Sequence, residues 1–384
     1  MLKKFAYAIG ALALLFGLWG VYIRLFEGEQ SANYGSYIFW GLWVAMYLFL
    51  AGLAAGAYLL ATFEYLFNLP AFKGTGKTML WAALVTLPAG LASIGMDLGH
   101  MERIWKVYLQ PNFNSFVALM VWGYTLFLIL IALSLYLAFK APQGKAMKVV
   151  MWIGFVVAIL VAGGVGFLLG GNAARLYWHV GLFPIQFPVF AIASGAALML
   201  ILVGWFMPEL PDSQRKDLLW TLAIISIVTS IAKLYFVVAD YTQSLYGGAT
   251  DNVIAVNYVL KGPMAFTFWG IQIVLGLLIP LIVLAQPKLA KNGLVAGWMG
   301  LFLLIGYAAA RLLIVIPGQV AEMMPGQAFA YSGPKLSLYY TPNLMEWSVT
   351  SAVLGFAILA ILIGMDYLLE YFSRLLARAT EVKQ

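Results

Sequence analysis

Predominantly apolar stretches of about 20 residues, the length a helix needs to cross the hydrocarbon core, recur ten times along the chain. They lie at residues 5–23, 37–67, 77–96, 114–139, 148–170, 184–207, 218–240, 263–286, 294–316 and 345–369. Period-two alternation is absent, and the runs are far longer than the about 9–11 residues of a barrel strand. A helix satisfies its own backbone hydrogen bonds, as the bilayer interior requires. The pattern predicts an all-α integral membrane protein with ten transmembrane helices. The first run follows Met1-Leu2-Lys3-Lys4 and has no A-x-A site at its end. It therefore reads as a spanning helix rather than a signal peptide.

Composition sharpens this reading. Of 384 residues, 64% are hydrophobic and 10% charged, against about 45–50% and about 25% in soluble domains. The chain has no cysteine, which excludes disulfides, thiolate zinc sites, cysteine-ligated iron–sulfur clusters and a cysteine nucleophile. The net charge of +7 is unevenly placed. Lys3, Lys4, Lys73, Lys77, Lys140, Lys145, Lys148, Arg215, Lys216, Lys288, Lys291, Arg374, Arg378 and Lys383 fall on one side of the predicted spans. Arg24, Arg103, Lys106, Arg175, Lys261 and Lys335 fall on the other. The positive-inside rule puts the first set, with both termini, in the cytoplasm of a multi-pass protein of the cytoplasmic membrane. The excess charge thus addresses the lipid surface, not nucleic acid. Inner connections are short. Outer ones at 97–113, 171–183, 241–262 and 317–344 are longer and aromatic, as a surface for an extracytoplasmic partner would be.

The sequence also repeats. Ala54-Ala55-Gly56-Ala57 in the second run returns as Ala193-Ser194-Gly195-Ala196 in the sixth. Trp122-Gly123 returns as Trp269-Gly270, and Trp152-Ile153-Gly154 as Trp298-Met299-Gly300. The order is shared, so spans 2–5 and 6–9 are expected to form two four-helix units of the same orientation, a parallel repeat. The expected organisation is 1–36 for the first helix and an outer loop, 37–183 and 184–317 for the two units, and 318–384 for an outer loop, the tenth helix and a tail.

Ionisable residues within spans are costly and mark functional candidates. Asp97 and His100 stand three residues apart at the outer end of the third span; if the helix continues, they share a face. A carboxylate beside an imidazole can relay a proton near neutral pH. The alternative is a helix-end Asp and a solvated His. Lys233, Asp240 and Arg311 of the second unit, and Glu346 entering the tenth span, lie in the outer half of the membrane, where charges should pair, either as a structural ion-pair network or as a proton path. Glu64 sits near the inner end of the second span as an interfacial carboxylate or a further member of such a path. Two histidines, His100 and His179, leave room for at most one bis-histidine haem and exclude a two-haem wire with histidine ligands.

Several of these stretches together resemble a known family. Tyr47-Leu-Phe-Leu-Ala-Gly52-Leu-Ala-Ala-Gly56-Ala-Tyr58 is similar to the first bundle helix of the NrfD/PsrC family, the membrane subunits of polysulfide reductase-type complexes. Asp97-Leu98-Gly99-His100-Met101-Glu102-Arg103 resembles that family's D-L-G-[HR]-P-x-R signature, with Met101 where proline is common. Arg311, Val315-Ile316-Pro317-Gly318-Gln319 and Tyr340-Thr-Pro342-Asn-Leu-Met-Glu346 resemble the C-terminal portion of its ten-helix branch, and point to the subunits associated with sulfite reductase (DsrP-type). In many members an acidic residue stands near the position of Gln272, so a complete proton path through the second unit is in doubt.

The resemblance implies a subunit without haem, iron–sulfur cluster or metal. It would bind menaquinone or another quinone in the first unit near the outer face, and exchange electrons with an extracytoplasmic ferredoxin-like iron–sulfur subunit of a larger redox complex. The quinone is then expected near Tyr34, Tyr37, Trp40, His100 and Asn114, with His100 on a quinone oxygen and Asp97 handling the proton. A second reading stays open: a secondary transporter or proton-translocating module built on Lys233, Asp240, Arg311 and Glu346, without quinone chemistry.

Overall fold

The computed structural model describes residues 2–330 and 333–372. The tail charges Arg374, Arg378 and Lys383 lie outside the described residues. Ten helices are long and apolar enough to cross a membrane: α1 Leu2–Phe26, α2 Leu42–Tyr65, α3 Gly76–Asp97, α4 Phe116–Lys140, α5 Lys145–Gly170, α6 Phe183–Phe206, α7 Asp212–Gly247, α8 Thr267–Leu284, α9 Gly293–Gln319 and α10 Leu344–Phe372. Among the described residues there is no strand. The protein is a multi-pass integral membrane protein.

The helices differ in what covers them. The most apolar window of α2 is 94% buried and that of α6 83%, whereas that of α1 is 17% buried. Thus α2 and α6 form the middle of the bundle and α1 its lipid-facing edge. Helix α2 packs on α3, α5, α6 and α9, and α6 packs on α5, α7 and α9. Small residues permit these approaches, because packing rather than hydrophobic transfer joins helices in lipid. A Cβ on Gly154 of α5 would collide with the Tyr58 ring of α2, and one on Gly300 of α9 would stand 2.5 Å from the Ala197 carbonyl oxygen of α6. Tyr58 and Ala197, like Gly154 and Gly300, are related by the repeat offsets. Helix α1 lies antiparallel on α10, where Gly17 meets the Ala352 backbone and the Gly20 amide donates to Ser348 Oγ at 3.0 Å.

Several boundaries differ from the hydropathy reading. The second run was expected from residue 37, but α2 starts at Leu42 because Gln319 holds the preceding segment extended. Its side-chain oxygen accepts from the Phe39 and Trp40 amides at 2.9 and 3.0 Å, and its nitrogen donates to the Trp40 and Val315 carbonyls at 2.9 Å each. Helix α7 runs past both ends of the apolar stretch, and part of the expected outer loop 241–262 is a further helix, Thr250–Leu260. The connection between α3 and α4 does not stand clear of the bundle. The Tyr108 hydroxyl is 2.9 Å from Thr125 Oγ1, nine residues or about 13 Å along α4, so this loop lies along that helix's flank.

Candidate functional site

The C-terminal ends of α1 and α3 and the N-terminal end of α10 converge on a buried polar cluster. Arg24, in the last turn of α1, is 3% exposed. Its Nε donates to the Met96 carbonyl at 2.6 Å, and its Nη2 to the Leu98 carbonyl at 2.9 Å and to Glu29 Oε1 at 3.0 Å. The last carbonyls of a helix lack internal donors and carry the negative end of its dipole. A buried guanidinium is suited to hold them. Arg24, counted from sequence as a loop charge, instead fastens the end of α3.

That end places Asp97. The helix stops there because Leu98 turns to extended backbone (φ −78°, ψ 122°). Asp97 and His100 consequently do not share a helix face, as a continuing helix would have required. The His100 side chain is 66% exposed, with Nδ1 2.9 Å from Glu102 Oε1. The Glu102 backbone amide, and then the imidazole, hold that carboxyl below the usual glutamate range. Asp97 Oδ1 and the Tyr34 hydroxyl are both buried without a hydrogen-bond partner among the described residues. Tyr34 packs edge-on against Trp43 at 5.8 Å. Burial, reinforced by the charges of Asp97 and Glu29, pushes its phenol well above the ordinary tyrosine range.

Glu346 closes the cluster from α10. It is fully buried, and its Oε1 accepts from the Tyr340 hydroxyl at 2.6 Å. Its Oε2 accepts from the Asn343 and Asn33 amides at 2.9 and 3.2 Å. With Asn343 it forms a capping box, so one carboxylate starts α10 and anchors the loop after α1. Tyr340 also accepts from the Leu42 amide at 2.9 Å, which fixes the start of α2. Burial and the Glu346 carboxylate push its phenol up as well.

The remaining expected quinone ligands are dispersed. Tyr37 donates to the Gln327 carbonyl at 3.2 Å, and Trp40 stacks on Trp178, in the loop before α6, at 5.2 Å. Asn114 is exposed on the loop before α4. The structure therefore gathers Tyr34 and Asp97 with Arg24, Glu29, Glu346 and Tyr340, and leaves His100 and Asn114 at the surface. Arg24 and Tyr340 were missed. A sequence signal existed in each case: an arginine at the end of an apolar run, and a tyrosine six residues before a span-entering glutamate.

The family model described as Polysulphide reductase, NrfD matches residues 30–322, which span α2 to α9 and so contain Tyr34 and Asp97. The protein belongs to the NrfD family. It is 33% identical to a selenate reductase subunit of Mesobacillus selenatarsenatis, over 94% of this sequence and 92% of that one. It is 23% identical to the Hdr-like menaquinol oxidoreductase integral membrane subunit of Archaeoglobus fulgidus, again over 94% and 92%. It is 25% identical to a polysulfide reductase component of Wolinella succinogenes, over 73% of this sequence and 95% of that one.

The polar residues expected as one path occupy three places in this NrfD-family protein. Glu64 accepts from the Gly74 and Gly76 amides at 2.9 and 2.6 Å and organises the turn between α2 and α3. Glu346 belongs to the cluster with Arg24, Tyr34 and Asp97. Lys233, Asp240 and Arg311 line two adjoining cavities among α6, α7 and α9, of about 10 and about 30 Å³. The pairing expected there does not form: among the described residues no ion pair within 4.0 Å includes Lys233, Asp240 or Arg311. Aromatic faces take the place of carboxylates. Lys233 Nζ lies 4.5 Å from the Tyr307 ring centre, and the Arg311 guanidinium 4.2 Å from that of Phe187.

Proposed function

We propose that this protein is the quinone-reactive membrane subunit of a respiratory oxidoreductase complex, acting at the Tyr34–Asp97 cluster near the outer face. The observation that carries this reading is the two buried polar atoms without partners, a carboxylate oxygen and a phenol, in one cluster of a protein whose relatives bear the names of reductase and menaquinol oxidoreductase subunits. Orphaned buried polar atoms are rare and costly; a ligand with oxygen atoms that accept and donate hydrogen bonds would satisfy both. A quinol supplies two electrons and two protons. On the protein side, Tyr34 donates a hydrogen bond, and Asp97 holds or releases a proton at Oδ1. Arg24 and Glu29 keep Asp97 in place through the end of α3. His100, bound to Glu102 at the surface, passes the proton to bulk water rather than holding the quinone itself.

With no cysteine in the sequence, an iron–sulfur cluster ligated by thiolates has to come from a partner. We place a ferredoxin-like subunit on the outer loops 97–113, 171–183 and 317–344, both termini in the cytoplasm, and two parallel units at 37–183 and 184–317. The test is purification of the native complex with quinone analysis and quinol-oxidation assays. Bound menaquinone and quinol-coupled turnover lost in Asp97→Asn support the proposal. A quinone-free complex whose turnover ignores that change would return the molecule to the transporter or proton-translocating reading.

A further inference from the structure

From the cavity between Lys233 and Arg311 we infer a buried binding site for one small monovalent anion, chloride in the cell. Both cations line the cavity of about 10 Å³, with Phe49, Ser194 and Tyr307. They are 2% and 4% exposed, at the middle of the bundle. Arg311 Nη1 has no hydrogen-bond partner there. Lys233 Nζ has one long bond, 3.5 Å to the Gly306 carbonyl. Asp240, two turns along α7, lines only the adjoining cavity, next to Gln272 and Gln186.

Charge decides what fits. Charges at membrane depth are kept only when paired or when they face a polar cavity. With Lys233 protonated and Asp240 ionised, the three residues carry one positive charge in excess. Loss of the Lys233 proton would cancel the excess against Asp240 but would still leave the Arg311 guanidinium, which stays charged, with no carboxylate within 4.0 Å among the described residues. Aromatic faces soften the cost for each cation but supply no counter-charge. One monovalent anion balances the cluster and meets the free Nη1–H and the Lys233 ammonium together.

Size narrows the choice. A volume of about 10 Å³ corresponds to about one water-sized sphere, which excludes phosphate, sulfate and carboxylate ligands. A halide is slightly larger than water. Lys233 borders both cavities, so a small shift of its flexible side chain toward the larger one enlarges the space for a halide while the ammonium stays beside the ion. Serine is not a competing donor, since Ser194 Oγ already donates to the Ala191 carbonyl at 3.0 Å.

The experiment uses bromide as the probe. The native complex is exchanged into chloride-free gluconate buffer and titrated with bromide at constant ionic strength. The expected result is a saturable rise in Tm of several degrees, absent in Arg311→Met. In bromide-grown crystals of the unmodified complex, an anomalous peak should lie between Lys233 and Arg311, which decides the matter even where the variant fails to assemble. A Tm indifferent to bromide, a response retained in full by both Arg311→Met and Lys233→Met, or a cavity holding water alone overturns the proposal.

Discussion

Gly56 of α2 and Gly195 of α6 cross backbone to backbone. A Cβ added to Gly195 would stand 2.5 Å from the Gly56 carbonyl carbon and 2.9 Å from the Ala57 amide nitrogen, and one added to Gly56 would overlap the Ala191 carbonyl. The two glycines occupy matching positions of the repeated motif. The two most buried helices thus meet at the one residue type that lets them approach.

Enlarging either glycine should separate the helices at the centre of the fold. Gly195→Val is expected to destabilise by at least the about 1–3 kcal/mol typical of overpacking. It should lower the Tm and the yield of the purified complex. Gly95→Ala in α3, where an added Cβ meets nothing within 4 Å, should leave both unchanged. Equal Tm values for the two variants would refute the assigned contact.

Asp97→Asn should reduce quinol-linked turnover by about 10²–10⁴, the usual loss on removing a proton acceptor, with assembly intact. Tyr34→Phe should weaken quinone binding. His100→Ala should cost less than Asp97→Asn, because its side chain is largely exposed and bonded to Glu102. Steady-state kinetics on assembled complexes provide the ranking; a larger loss for His100→Ala would move the site to the surface loop.

Glu346→Gln keeps the shape of the side chain but exchanges one accepting oxygen for a donor amide. The Tyr340 hydroxyl and the Asn33 and Asn343 amides all donate to this buried carboxylate. At least one is left facing another donor, for an expected loss of about 1–3 kcal/mol, read as a lower Tm. Because Glu346 stitches α2 and α10 together, the variant should also expose both helix starts to proteolysis.

Orientation can be read by labelling, since the native sequence has no cysteine. Cysteine introduced at Ser115, before α4, should react with an impermeant reagent from outside intact cells. Cysteine at Gln143, between α4 and α5, should react only after permeabilisation. Labelling of both from one face would contradict the charge-based topology.

The ten helices were legible because membrane insertion depends on a local quantity. Apolarity over about 20 neighbouring residues decides whether a segment can leave water, and the bilayer then permits only a helix. The small residues of the repeat were legible for a similar reason, as close packing in lipid calls for them wherever helices cross. Partners are not local. Trp43 Nε1 donates to the Glu346 carbonyl at 3.0 Å across a sequence separation of 303 residues, and Gln319 holds Trp40 across 279. Where α3 ends depends on Arg24 reaching the Met96 and Leu98 carbonyls, and that ending separates Asp97 from His100. Lys233 and Arg311 carried a sequence expectation of ion pairs, but the helix arrangement turned them toward aromatic rings and a shared cavity. Hydropathy could place each charge in the membrane; only the packing of distant helices decided what each charge would face.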